Sequence, residues 1–113
     1  MTKRNKIFIL HILDSISKIE LFTKNITNDK FLKSEIIQDA VIRRLEIIGE
    51  AVKNLPKSFK DKYPDIEWKK IAGTRDNLIH EYFGVDLRLT YKILTKDLPV
   101  LKEKLEKIIK TLP

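Results

Sequence analysis

Apolar residues recur near the start of the chain at steps of three and four: Phe8, Ile12, Ile16, Ile19 and Phe22. At 3.6 residues per turn they fall on one stripe, so the spacing predicts a helix over residues 3–24. Residues 25–29 then hold two asparagines, a threonine and an aspartate, side chains that break one helix and cap the next. Ile37, Val41, Leu45, Ile48, Val52 and Leu55 repeat the spacing and predict a second helix over residues 30–55, stopped by Pro56. Gly49 sits inside it, where glycine costs roughly 1 kcal/mol relative to alanine. Its expected use is close approach by a neighbouring helix or subunit.

Residues 56–66, PKSFKDKYPDI, read as a loop with room for one short turn near 59–63. A third helix is predicted over residues 67–82, with Trp68, Ile71, Ala72 and Ile79 on its apolar side and Gly84 ending it. Asp86 is placed to cap a fourth helix carrying Leu87, Tyr91 and Leu94. Asp97 and Pro99 open a last one, lined by Leu101, Leu105, Ile108 and Leu112. The pattern is that of an all-α antiparallel bundle of four or five helices, one domain over residues 1–113. The first two stripes are broad for so small a bundle, so a homodimer is expected.

Composition narrows the picture. The chain's 113 residues suit a single core, and three glycines and four prolines are too few for a turn-rich sandwich or barrel. The absence of cysteine excludes disulfides and thiolate metal sites and fits a reducing compartment. The basic N-terminus leads into an apolar run at residues 7–13, but the run is short, His11 interrupts it, and no small-residue cleavage site follows. No run is long enough to span a bilayer. A cytoplasmic protein with no membrane partner is expected. Twenty-three Lys and Arg against sixteen Asp and Glu leave a formal charge of +7, which favours an anionic partner, nucleic acid above all. Compositional drift of a lysine- and isoleucine-rich genome is the blander account.

Reactive chemistry concentrates in residues 75–82, RDNLIHEY. Neither of the two histidines has a glutamate three residues before it, they lie in different segments, and the glycines are scattered. No standard metal site or phosphate loop is present in the pattern, and no cofactor is expected. His11 reads as a residue at the core margin or a helix contact, and Trp68 as a core anchor whose indole N–H finds a partner. Arg43 and Arg44 with Glu46 and Glu50 form solvated i,i+3 and i,i+4 pairs or face the 75–82 cluster. On an ideal helix Arg75, Ile79 and Tyr82 share a face, whereas His80 stands about 140° from Arg75. The two would then meet across an anion or across a subunit boundary.

This stretch resembles the HEPN superfamily signature, and Tyr82 two residues after His80 resembles the HepT-like branch with its Arg-x4-His-x-Tyr pattern. AVIRRLEIIGEAVKNLP, PDIEWKKIAGTRDNLIHEYFGVD and DLPVLKEKLEKI extend the likeness from about residue 36 to the C-terminus. The resemblance implies a helical bundle that dimerises with both motifs facing one cleft, and a metal-independent endoribonuclease acting as the toxin of a toxin–antitoxin pair. It implies Arg75 and His80 as catalytic residues acting on RNA. Tyr82 would be the residue that a cognate minimal nucleotidyltransferase adenylylates to silence the toxin. Asp76 stands where relatives often carry Asn; its acid could orient Arg75 or His80. The alternative is a non-catalytic helical subunit that docks the nucleotidyltransferase.

Overall fold

The computed structural model describes the backbone of residues 2–74, 79–80 and 84–113, and the side chains of 3–74 and 86–113. Helix α1 spans Thr2–Phe22. Ile9, Ile12, Ile16 and Ile19 are at most 1% exposed and form its inner stripe. The stripe is therefore turned slightly from the expected one: Phe8 is half-buried and Phe22 is 37% exposed. Asn25 ends the segment in the left-handed region at φ 60°, which asparagine tolerates better than most side chains.

The predicted second helix is two helices, α2 (Asn28–Lys33) and α3 (Glu35–Asn54). Ser34 makes the break. It is extended, and its hydroxyl accepts the Ile37 N–H as the cap of α3. A serine hydroxyl competes with the helical ladder in this way, which period alone does not reveal. The bend lets Phe31 become fully buried, and Gln38 Nε2 donates to the Phe31 carbonyl at 2.8 Å. From α3, Val41, Leu45, Ile48, Val52 and the flanking Leu55 are buried as expected. The first half of α1 lies beside the second half of α3, so the pair is antiparallel.

A single turn, α4 (Lys57–Lys60), follows Pro56, and α5 covers Trp68–Ala72. The third helix does not run on to residue 82 as the periodicity predicts. Ile79–His80 and Gly84–Val85 are extended and pair antiparallel as β1 and β2, with Ile79 opposite Val85 and His80 opposite Gly84. Gly84 is thus a strand partner and no helix cap. Two features work against a longer helix: no side chain caps the N-terminus of α5, and Gly73 follows its last residue. The expectation for residues 75–78 and 81–83 lies outside the described residues.

Asp86 caps α6 (Leu87–Lys92) as expected, its carboxylate accepting the Leu89 N–H at 3.0 Å. The fourth and last helices are one continuous rod, however. A wide π-helical turn over Ile93–Asp97 joins α6 to α7 (Leu98–Ile109), and the Leu98 N–H reaches back to the Ile93 carbonyl. Pro99 accounts for the widening, because in a regular helix its ring would press on the carbonyl four residues back, that of Thr95. Leu98, Leu101, Leu105 and Ile108 of α7 are buried, and α7 packs on α1. The all-α architecture holds, with one two-residue β-pair inserted. No helix among the described residues is long and apolar enough to cross a membrane.

Candidate functional site

The 75–82 motif lies, in sequence, between two anchored helices. Upstream, Trp68 fixes the start of α5. It is 7% exposed, and its Nε1 donates to the carbonyls of Lys60 and Tyr63, both at 3.1 Å. Phe59 packs between the rings of Tyr63 and Trp68, with centroids at 5.2 and 6.4 Å. Gly49 fixes the other end of α5. A Cβ there would stand 3.3 Å from the Ala72 carbonyl oxygen and 3.4 Å from that of Ile71. The close approach expected of this glycine is therefore made within the chain, by the last residues before the motif. Downstream, the Asp86 cap and the Thr90 hydroxyl, which donates to the Asp86 carbonyl at 2.8 Å, fix the start of α6.

Between these anchors the structure gives the backbone of His80, paired opposite Gly84. Because the backbone at Ile79 and His80 is extended, the helical wheel used to place His80 does not hold at that residue. Arg75, Asp76 and Tyr82 lie outside the described residues, as does the side chain of His80.

A groove of about 550 Å³ opens between α1 and α3. Phe8 and His11 line one wall, Arg43, Glu46, Glu50 and Lys53 the other, and the groove reaches Ala72. His11 is exposed and stands edge-on to Phe8, with centroids 6.4 Å apart and planes at 83°. The Arg4 guanidinium lies 5.7 Å from the Phe8 centroid. Arg43, Glu46 and Glu50 line this groove, and whether the α3 charges face the 75–82 cluster lies outside the described residues. Phe8 and Lys53 escape a reading by motif; the signal was their i,i+3 and i,i+4 relation to His11, Glu50 and Gly49. A smaller cavity of about 230 Å³ lies between α3, α5 and the α6–α7 rod, walled by Ile48, Ile71 and Leu101 and reaching Thr74.

The family model described as ribonuclease HepT-like matches residues 12–108, a stretch that includes the whole motif. The chain belongs to the HepT-like ribonuclease family. Among its relatives, a Methanocaldococcus jannaschii protein named "Gamma-glutamylcyclotransferase and putative RNase" is 55% identical over 99% of this chain, which spans 50% of that protein's length. A Thermococcus cleftensis protein named "Probable ribonuclease HepT" is 47% identical over 97% of this chain and all of its own. A further Methanocaldococcus jannaschii protein, named "Putative RNase", is 46% identical over 97% of this chain and 92% of its own length. No solved structure matches.

Proposed function

We propose that the protein is a metal-independent endoribonuclease whose catalytic pair is Arg75 and His80, and that it serves as the toxin of a toxin–antitoxin pair. The observation that carries this reading is the position of Arg75, His80 and Tyr82 inside the 12–108 stretch matched by the HepT-like ribonuclease family. RNA supplies its own nucleophile, the 2′-hydroxyl, so the protein has to supply a proton acceptor and donor near neutral pH and a fixed positive charge. His80 is the side chain suited to the first, taking the 2′-hydroxyl proton or delivering one to the departing 5′-oxygen. The Arg75 guanidinium is suited to the second, because it holds two phosphate oxygens at once and stays charged. The 2′-oxygen bonds to phosphorus, the bond to the 5′-oxygen breaks, and the products are a 2′,3′-cyclic phosphate and a 5′-hydroxyl. Asp76 supports the pair by orienting one of its members.

One acid–base group per subunit is sparse for a reaction that needs both a base and an acid, so a homodimer that pools two motifs in one cleft is part of the reading. Exposed Ile7, Leu10, Leu21, Ile36 and Val100 leave apolar surface available for such contacts. Tyr82 is the regulatory residue: its hydroxyl attacks the α-phosphate of ATP on a cognate nucleotidyltransferase, pyrophosphate leaves, and the attached AMP places a phosphate beside Arg75 and His80 where RNA would bind.

The test is incubation of the purified protein with RNA in excess chelator. Cleavage that leaves cyclic-phosphate ends and vanishes in His80→Ala is the expected result. Absence of cleavage, together with adenylyl groups on Tyr82 after co-expression with the nucleotidyltransferase, would replace this reading by a non-catalytic docking subunit.

A further inference from the structure

We infer that the groove between α1 and α3 is a subsite for a short unpaired stretch of the RNA, one base held over the Phe8–His11 corner and phosphates to either side of it at Arg43 and Lys53. The inference rests on the ribonuclease reading for its substrate and adds where and how the strand is held. Its location comes first: the groove reaches Ala72, which precedes Arg75 by three residues. A strand whose scissile phosphate meets Arg75 has its neighbouring nucleotide within reach of that end. At about 550 Å³ the groove is of the size that takes a small organic ligand.

The wall on α1 is chemically suited to a base. His11 lies between Leu10 and Ile12 in sequence, yet its imidazole is exposed in the groove and perpendicular to Phe8. Two rings at a right angle offer a flat face and an edge to a third ring, and stacking of this kind accepts any base. The Arg4 guanidinium beside Phe8 adds a second planar, cationic surface.

The wall on α3 says which part of a nucleic acid belongs where. Its groove-lining charges run Arg43, Glu46, Glu50, Lys53, with cations at the two ends and carboxylates between. Arg43 and Lys53 are ten residues apart, about 15 Å along a helix axis. Phosphate is attracted at the ends and repelled by Glu50 between them, so a strand lying along the groove puts a base, and no phosphate, at Glu50. Carboxylates accept from the exocyclic amines of adenine, cytosine and guanine, and uracil has no such amine. A duplex keeps its bases stacked on each other and cannot use the aromatic wall.

The experiment measures binding without cleavage, in the full chain carrying His80→Ala, with fluorescein-labelled hexamers of adenylate and of uridylate and a duplex RNA of equal length, by anisotropy. Adding His11→Ala should weaken the adenylate hexamer at least about fivefold, the low end of roughly 1–3 kcal/mol per stacked base, and change the duplex less than about twofold. Adenylate should bind tighter than uridylate, and Glu50→Gln should narrow that gap. His11 and Glu50 are both exposed, so neither change threatens the fold. Adenylate affinity left within about twofold by both His11→Ala and Arg43→Gln overturns the subsite, and so does an equal loss for hexamer and duplex in His11→Ala. The two readings fail separately: a parent protein that cuts no RNA but shows this binding pattern sinks the nuclease alone, and one that cuts RNA with an unresponsive groove sinks the subsite alone.

Discussion

Gly49 offers the sharpest test of how the start of the motif segment is held. In a free helix, Gly→Ala would stabilise by about 1 kcal/mol and Gly→Val by a few tenths, because only proline is a poorer helix former than glycine. The seam against α5 opposes both changes. An alanine Cβ would meet the Ala72 and Ile71 carbonyl oxygens at 3.3 and 3.4 Å, so those groups need yield only slightly. The propensity gain is consumed and Gly49→Ala comes out near neutral. Valine adds two methyl groups beyond that atom, and extra methylenes in a packed seam typically cost about 1–3 kcal/mol. The net for Gly49→Val is a loss of about 2 kcal/mol, or roughly 8 °C in Tm for a domain of this size. Circular dichroism melts at one fixed protein concentration measure it, since association shifts Tm by mass action. A Gly49→Val protein melting at or above the parent would falsify the close approach of α3 to the end of α5.

Other expectations follow from the same geometry. Trp68→Phe deprives the Lys60 and Tyr63 carbonyls of their shared donor and should cost about 1–3 kcal/mol in urea denaturation followed by circular dichroism; an unchanged midpoint would contradict the anchor. Ser15 is 1% exposed and its hydroxyl has no partner among the described residues, so Ser15→Ala should raise stability by about 1 kcal/mol, and a lower Tm would show an unrecognised bond. Lys102 joins α7 to α1 through Glu20 at 2.8 Å, and this hydrogen bond raises its pKa above the ordinary 10.5 against the opposing effect of desolvation. A raised folded-state value means the contribution is complete below 10.5 and fades as pH climbs past it. With Glu20 49% and Lys102 31% exposed, Glu20→Gln should cost only a few tenths of a kcal/mol near pH 7. The urea midpoints of parent and variant should converge once the lysine has titrated, and a gap that persists there would assign the cost to something other than the ion pair.

The long elements were legible because their apolar residues keep a single period. Ile12, Ile16 and Ile19, then Val41, Leu45, Ile48 and Val52, all point inward as their spacing demands. The Asp86 cap and the close approach at Gly49 were legible too, since each residue type has one strong local use. The break at Ser34 was not, because a mid-helix serine and a capping serine look alike until the Ile37 N–H finds its hydroxyl. The continuity of the rod through Asp97 was hidden for the opposite reason: an Asp followed by Pro99 reads as a stop and a start, yet the Asp97 side chain caps nothing. At the motif, period predicted a helix through residues 79–80 where the backbone is paired and extended. The aliphatic residues of the stretch, Leu78 and Ile79, are adjacent and give the period nothing to lock onto. The groove at His11 went unread because its two walls come from segments more than thirty residues apart.

The wide turn at Ile93–Asp97 sets the phase of everything that follows it. Were the same residues wound at ordinary pitch, one of them would be surplus to the turn and α7 would rotate by about 100° on its axis. Leu98, Leu101, Leu105 and Ile108 would swing away from α1, and positions now turned toward water, Lys107 among them, would be driven against it. The irregular turn is thus the device that keeps the two halves of the rod aimed at different neighbours, α6 at α2 and α7 at α1, without a loop between them. A one-residue insertion along this rod should accordingly be tolerated after Ile109, where the helix ends, and rejected at the five residues that look least like a helix.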